Sequence, residues 1–362
     1  MKLLRLTCVS VAMFAVAFST GLLRSAHAGD DYVVKVGYYN CDHMTAAPIA
    51  KETGIFDELG MKVKVTGNGS VPQAMAAGQM DAGYVGIHGL MRAHIKGAPI
   101  FVSANNHVGG SYYLVVSNDI KDPQQLVGKK LALGTNPNKR SVSWVSFVKE
   151  NNLPKDPSNY KIFAMSDKDE FLALKTGKLD GYLTCDPWAS MAEYDGSGHV
   201  MKLFDKLPST QDWGVCCVLA MSRKFAKEHP DLAVKMIQAH MKALQYIYTH
   251  PKRSAEIFAK VYSVPEEVAL MTIYKKTVAE ERTLNWEIDT KKIQAEIDYN
   301  LDMGTLDKAP PLEKFVNTQF LDTANTDDFE TFIKEKVDPI FPMGMSYSDW
   351  KAKAIEIDKP QA

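Results

Sequence analysis

Two stretches of this chain about a hundred residues apart carry the same pattern, and that repeat constrains the fold more than any other feature. Gly78-Gln79-Met80-Asp81-Ala82 closes one helix-like stretch and opens a strand; Gly177-Lys178-Leu179-Asp180-Gly181 does the same later. The residues leading in match as well. Side-chain periodicity predicts a strand over Val33–Tyr39, a helix over Ala46–Glu58, a strand over Lys62–Thr66, a helix over Pro72–Ala77 and a strand over Ala82–Gly86. The second copy repeats that order with Lys130–Leu133, Val142–Asn151, Tyr160–Met165, Asp169–Lys175 and Gly181–Thr184. Two β-α-β-α-β units, each able to bury its own sheet, predict two α/β lobes with a cleft between them.

The first residues read as an export signal. Lys2 and Arg5 precede an apolar run, Leu6–Leu23, and Ala26-His27-Ala28 fits a small-residue cleavage site. The run is marginal for a membrane span, so a cleaved signal over residues 1–28, a soluble mature protein and a periplasmic location are expected. Loss of that segment removes Lys2, Arg5 and Arg24 and no acids, leaving 39 basic against 43 acidic residues. No basic stripe stands out, which argues against nucleic acid or anionic membrane as a partner.

Strand-like Ser111–Ser117 and Gly214–Met221 read as the segments that cross between lobes, with the hinge expected near residues 115–119 and 212–217. The first lobe is then residues 29–117 with 217–362, and the second is 118–216. In the C-terminal half, helices are expected over Asp231–Thr249, with Pro251 as a stop signal, and over Pro265–Thr277 and Asp289–Leu301. The last sixty or so residues mix helical and Pro-rich pieces and are expected to wrap the outside of lobe one.

The opening V-K-V-G-Y, the following A-P-I-A-K-E-T-G-I-F-D-E-L-G-M-K-V, and the later G-Q-M-D-A-G, L-V-G-K-K-L-A-L-G, T-G-K-L-D-G-Y and D-P-W-A-S resemble periplasmic solute-binding proteins of the nitrate, sulfonate, taurine and thiamine-precursor group. The resemblance covers roughly Val33 to Leu244. It implies a type II periplasmic-binding fold, a small ligand held between two lobes, delivery to the permease and ATPase of an ABC importer, and a monomer. A ligand-presenting sensor is a variant of the same reading. An enzyme is the alternative: thiamine-pyrimidine synthases are similar to this family and use a cysteine-rich segment with iron. Gly214–Val218 resembles that segment, but with two cysteines where a longer cluster is expected.

In open α/β sheets ligands bind beyond the carboxyl ends of the strands, where helix N-termini present unpaired N–H groups. The residues expected there are Asn40, Cys41, Asp42 and His43; Ser70; His88; Asn136; Thr184, Cys185, Asp186 and Trp188; and, on the crossing strand, Trp213 and Cys216. Lys139 and Arg140 open a helix at the cleft and could pair with an anion, while Trp188 and Trp213 could stack on a planar ligand or pack the hinge.

All four cysteines of the mature chain (Cys41, Cys185, Cys216 and Cys217) fall in these segments. Three readings stay open. Export favours disulfides, although a Cys41–Cys185 bridge would lock a cleft that should open. Thiolates from Cys41, Cys185, Cys216 or Cys217 could instead hold a soft metal or a metal–sulfur species as the carried ligand, with His43 or His88 as a further donor. Neighbours on a regular strand point to opposite faces, so using both Cys216 and Cys217 requires a bulge. Third, the thiols could be small buried residues lining a pocket for an organic or oxyanion ligand. His107 is expected in a surface turn. His94, His199, His229, His240 and His250 are expected on helices or loops, without a role.

Overall fold

The computed structural model describes residues 31–39, 41, 45–67, 69–109, 112–134, 141–204, 206–207 and 212–359. Its strands are β1 (Val33–Tyr38), β2 (Lys62–Gly67), β3 (Ala82–Gly86), β4 (Ile100–Val108), β5 (Tyr112–Ser117), β6 (Lys130–Ala132), β7 (Lys161–Phe163), β8 (Gly181–Thr184), β9 (Gly198–Phe204) and β10 (Val215–Ser222). They form two five-stranded sheets, ordered β2-β1-β3-β10-β4 and β7-β6-β8-β5-β9. Each sheet has three parallel strands, then an antiparallel strand, then an edge strand. The repeat in the sequence is therefore a repeat in space.

The duplicated Gly-x-x-Asp has one job in both copies. Gly78 (φ 71°) and Gly177 (φ 69°) end their helices in the left-handed region that favours glycine. The amides of Gly78 and Gln79 bond back to Met75 and Ala74 carbonyls, and those of Gly177 and Lys178 to Leu174 and Ala173, a Schellman closure in each lobe. Two residues later the aspartate latches the neighbouring strand. The Lys35 amide donates to the Asp81 carboxylate at 2.8 Å while the Asp81 amide donates to the Lys35 carbonyl. Lys130 and Asp180 repeat both bonds, the side-chain one at 2.7 Å. Asp81 is 8% exposed and also accepts from the Tyr32 hydroxyl at 2.9 Å. Charged acceptors contribute about 1.5–3 kcal/mol each, so Asp81→Ala should cost about 2–4 kcal/mol in urea unfolding and Asp180→Ala distinctly less. Equal costs would show that the second bond and the burial of Asp81 do not matter.

The chain changes sheets between Val108 and Tyr112 and again between Phe204 and Val215. β5 pairs with β8 and β9, so residues 112–117 lie in the second sheet and the first crossing precedes the expected 115–119. Cys216 likewise lies in the first sheet with the rest of β10. The two crossings are tied by a Gly109 amide to Gly214 carbonyl bond of 2.7 Å.

Two strands go beyond the sequence reading. β9 carries His199, which was expected on a helix or loop. β4 carries His107, which is 0% exposed opposite Cys217, not in a surface turn. The expected Ala46–Glu58 helix is two, Ala46–Glu52 and Ile55–Glu58, parted at Gly54 (φ 80°). Pro251 opens a helix, Pro251–Tyr262, directly after Pro230–Thr249, because a first-turn proline forfeits no helical bond.

The C-terminal half packs mainly on the first sheet. Phe320 stacks on Phe101, and Val316 bridges to Val102. The helix Thr290–Asp302, capped by the Asp289 side chain, reaches the space between the sheets. Among the described residues no helix is long and apolar enough to cross a membrane.

Candidate functional site

A cavity of about 470 Å³ lies between the sheets and draws its walls from both. That volume falls within the range of about 300–1,000 Å³ typical of small-molecule sites. The carboxyl ends of the parallel strands supply it, as strand topology requires. Tyr39 and Cys41 follow β1, Gly86 ends β3 and His88 follows it, Leu133 and Gly134 follow β6, and Cys185 follows β8.

Of the residues expected at the cleft, Cys41, His88, Cys185, Cys216 and Cys217 line the cavity. Asn40, Asp42, His43 and Asn136 lie outside the described residues, as do Lys139 and Arg140. Four others, Asp186, Thr184, Trp188 and Trp213, make contacts within the protein away from the cavity lining. Asp186 is wholly buried and accepts from the Ser190 amide at 2.8 Å and hydroxyl at 2.9 Å, closing the first turn of helix Trp188–Tyr194. Thr184 bonds the Cys185 carbonyl. Trp188 packs on Phe171. Trp213 donates to Glu281 at 2.7 Å beneath the Lys206 ammonium, so it packs at the crossing. Ser70 is exposed between the lining residues Gly69 and Val71.

None of the four thiols is in a disulfide. Cys216 Sγ and Cys217 Sγ stand 3.4 Å apart, although neighbours on a regular strand diverge. The cause is a register irregularity of β10 against β4 on either side of Cys217, the bulge that a shared face requires. Cys41 and Cys185 come from opposite lobes. Among the described residues no three His, Cys, Asp or Glu side chains gather closely enough to hold a metal ion.

The tyrosines give the cavity a neutral floor. Tyr39 donates to Asp167 across the lobes at 2.5 Å, and burial, then that carboxylate, push its phenol far above the ordinary range. Burial does the same to Tyr112, followed by Asp167 and Glu170. Tyr84 is fully buried and contacts His240 Nδ1 at 3.1 Å, while His240 Nε2 meets the Asn105 carbonyl at 2.7 Å. Burial lowers this imidazole to about 4, so it is neutral and fixes Tyr84 from behind.

The opposite wall is ionic and is largely absent from the sequence reading. His88 pairs with Glu296 at 2.7 Å, and Glu296 also accepts from Asn300. Gly214 makes room for this carboxylate: a Cβ there would stand 2.3 Å from its Oε2. Tyr299 reaches Ser146 of the second lobe. Lys202 faces Glu150 at 3.5 Å and Lys206 faces Glu281 at 3.4 Å. Arg92, one turn after His88, lines the cavity without a carboxylate partner among the described residues, and burial lowers its pKa. Two helices, Ile87–Ile95 from the first lobe and Val142–Glu150 from the second, begin at the cavity without a side-chain cap bond.

Known proteins share this architecture. The alkanesulfonate-binding protein of Xanthomonas axonopodis pv. citri, solved with MOPS bound, superposes with a TM-score of 0.66 at 17% identity over 80% of this chain and 100% of that one. A Bacillus subtilis protein described as aliphatic sulfonates-binding is 22% identical over 286 residues, 76% of this chain and 83% of that protein. The taurine-binding periplasmic protein of Escherichia coli is 24% identical over 213 residues, 56% of this chain and 64% of that protein. The two-lobed fold is thus that of periplasmic binding proteins. The model of the NMT1-like family matches residues 28–263, and the chain belongs to that family.

Proposed function

We propose that this chain is the periplasmic solute-binding component of an ABC importer, exported by a cleaved signal over residues 1–28. It captures a small organic anion between its lobes and hands it to a permease and ATPase. We read it as a binding protein and not an enzyme. One observation carries the reading: a cavity between the two lobes in which Arg92 has no carboxylate partner among the described residues, and onto which two helix N-termini without a side-chain cap bond open from opposite sides. Open N–H groups and a guanidinium suit a sulfonate or a similar oxyanion. The volume exceeds what an anionic group alone fills, so an apolar tail is expected against Val71, Pro72, Val85, Val142 and Val215. Contacts from both lobes favour the closed arrangement when the ligand is bound. The names of the sulfonate- and taurine-binding relatives support this ligand class.

Calorimetry with taurine, hexanesulfonate, MOPS and nitrate tests the reading. At least one sulfonate should bind saturably at one site and raise the melting temperature. Arg92→Ala should weaken that binding about 10- to 100-fold, the loss of a charge-assisted hydrogen bond. No binding across the panel, or an unchanged affinity in Arg92→Ala, would sink the assignment.

A further inference from the structure

We propose that Cys216 and Cys217 are a modification site: they form a reversible vicinal disulfide in the cavity wall. The bulge in β10 turns both side chains to one face and leaves their sulfurs 3.4 Å apart. Both line the cavity, Cys216 half-buried and Cys217 1% exposed. Small disulfides that enter the cavity therefore meet Cys216 first, with its partner already in place.

The chemistry is thiol–disulfide exchange with an external low-molecular-weight disulfide as oxidant. The Cys216 thiolate attacks one sulfur of the oxidant, forming a mixed disulfide and releasing one small thiol. The Cys217 thiolate then displaces the second small thiol and closes the Sγ–Sγ bond. Two protein thiols are oxidised, one external disulfide is reduced to two thiols, and the two cysteine protons leave with them. A bridge between adjacent residues closes a small ring through the peptide link, and strained, accessible disulfides are the readily reduced ones. The bridge is therefore a reversible state. It changes what the wall offers: two thiols that are weak hydrogen-bond donors become a disulfide that has no S–H to donate. Its bearing on ligand capture rests on the binding reading above; its formation does not.

Equilibration of the purified full chain with oxidised glutathione, followed by alkylation and peptide mapping, tests the site without any ligand. This keeps failure of the bridge distinct from failure of the sulfonate assignment. The peptide carrying residues 216–217 should lose about 2 Da without a glutathione adduct, and two fewer thiols should titrate. Dithiothreitol should restore both. The Cys41→Ser/Cys185→Ser variant should behave alike, but the wild-type map decides by itself. An unchanged thiol count, stable glutathione adducts at Cys216 or Cys217, or a bridge to Cys41 or Cys185 would overturn the proposal.

Discussion

Replacing Lys276 with methionine is expected to cost the fold about 3–5 kcal/mol, because it strands a buried carboxyl. Lys276 is 1% exposed on the turn Lys275–Ala279 that extends helix Glu266–Tyr274. Its ammonium bonds the Glu280 carboxylate and the Tyr113 hydroxyl, and that hydroxyl donates to Glu280 at 2.6 Å. Tyr113 belongs to β5, so this closed triangle fastens the C-terminal half to the second lobe. Lys275 works alongside, reaching Ser190 at 2.8 Å and Glu193 at 3.0 Å. Burial pushes the Glu280 carboxyl up even against the pull of Lys276. Without the cation it rises further. Unfolded Glu280 ionises near its ordinary 4.5, so a folded state that keeps its proton loses stability as pH climbs past that value. The deficit of Lys276→Met in urea unfolding should therefore be largest at pH 8 and shrink toward pH 4.5. Lys276→Met/Glu280→Gln should recover part of it, since neither charge is then left alone. A single variant within about 1 kcal/mol of wild type at pH 8 would show that the triangle does not secure the lobes.

How much of this was legible beforehand depended on whether a feature is local. The Gly-x-x-Asp repeat was legible because each of its residues acts on backbone within a few positions or on the adjacent strand. Cys41 and Cys185 were legible because strand ends converge on one edge of a parallel sheet. β4 was not, because Ser103, Asn105, Asn106 and His107 look like a loop. Their burial depends on distant partners: Ser103 bonds the Leu219 carbonyl and Asn105 the Asn285 carbonyl. The ionic wall was hidden for the same reason. Glu296 and Tyr299 sit on a helix some two hundred residues from His88, and only the wrap of the C-terminal half turns that face inward. The bulge that aligns Cys216 with Cys217 arises from pairing with β4, a strand the pattern did not show. Asp186 and Trp188 were misplaced because polarity and aromaticity at a strand end suit a helix cap and a core as well as a ligand.

Glu170→Gln is expected to stabilise the protein increasingly as pH rises. Glu170 is 0% exposed in the first turn of helix Asp167–Lys175, and the backbone amide of Gly134 offsets the burial of its carboxyl only in part. The helix N-terminus favours an anion there by about 0.3–1 kcal/mol, but burial opposes it by much more. Burial, then the charge of Asp167, push this carboxyl up to about 10. The unfolded group ionises near 4.5, so between about 4.5 and 10 the folded protein holds a proton that the unfolded chain has released. Stability must fall with pH across that window, by about 1.4 kcal/mol per unit at the limit of one full proton. Glutamine keeps the shape and removes the titration. Near pH 4.5 the variant should lie within about 1 kcal/mol of wild type, and by pH 9 it should be ahead by an amount on the order of 3–6 kcal/mol. Urea unfolding of both proteins at pH 5, 7 and 9 reads the difference in slope directly. Parallel slopes would mean that Glu170 is ionised in the folded state. The cost of burying that charge would then have to be met by a counter-charge close to the carboxylate.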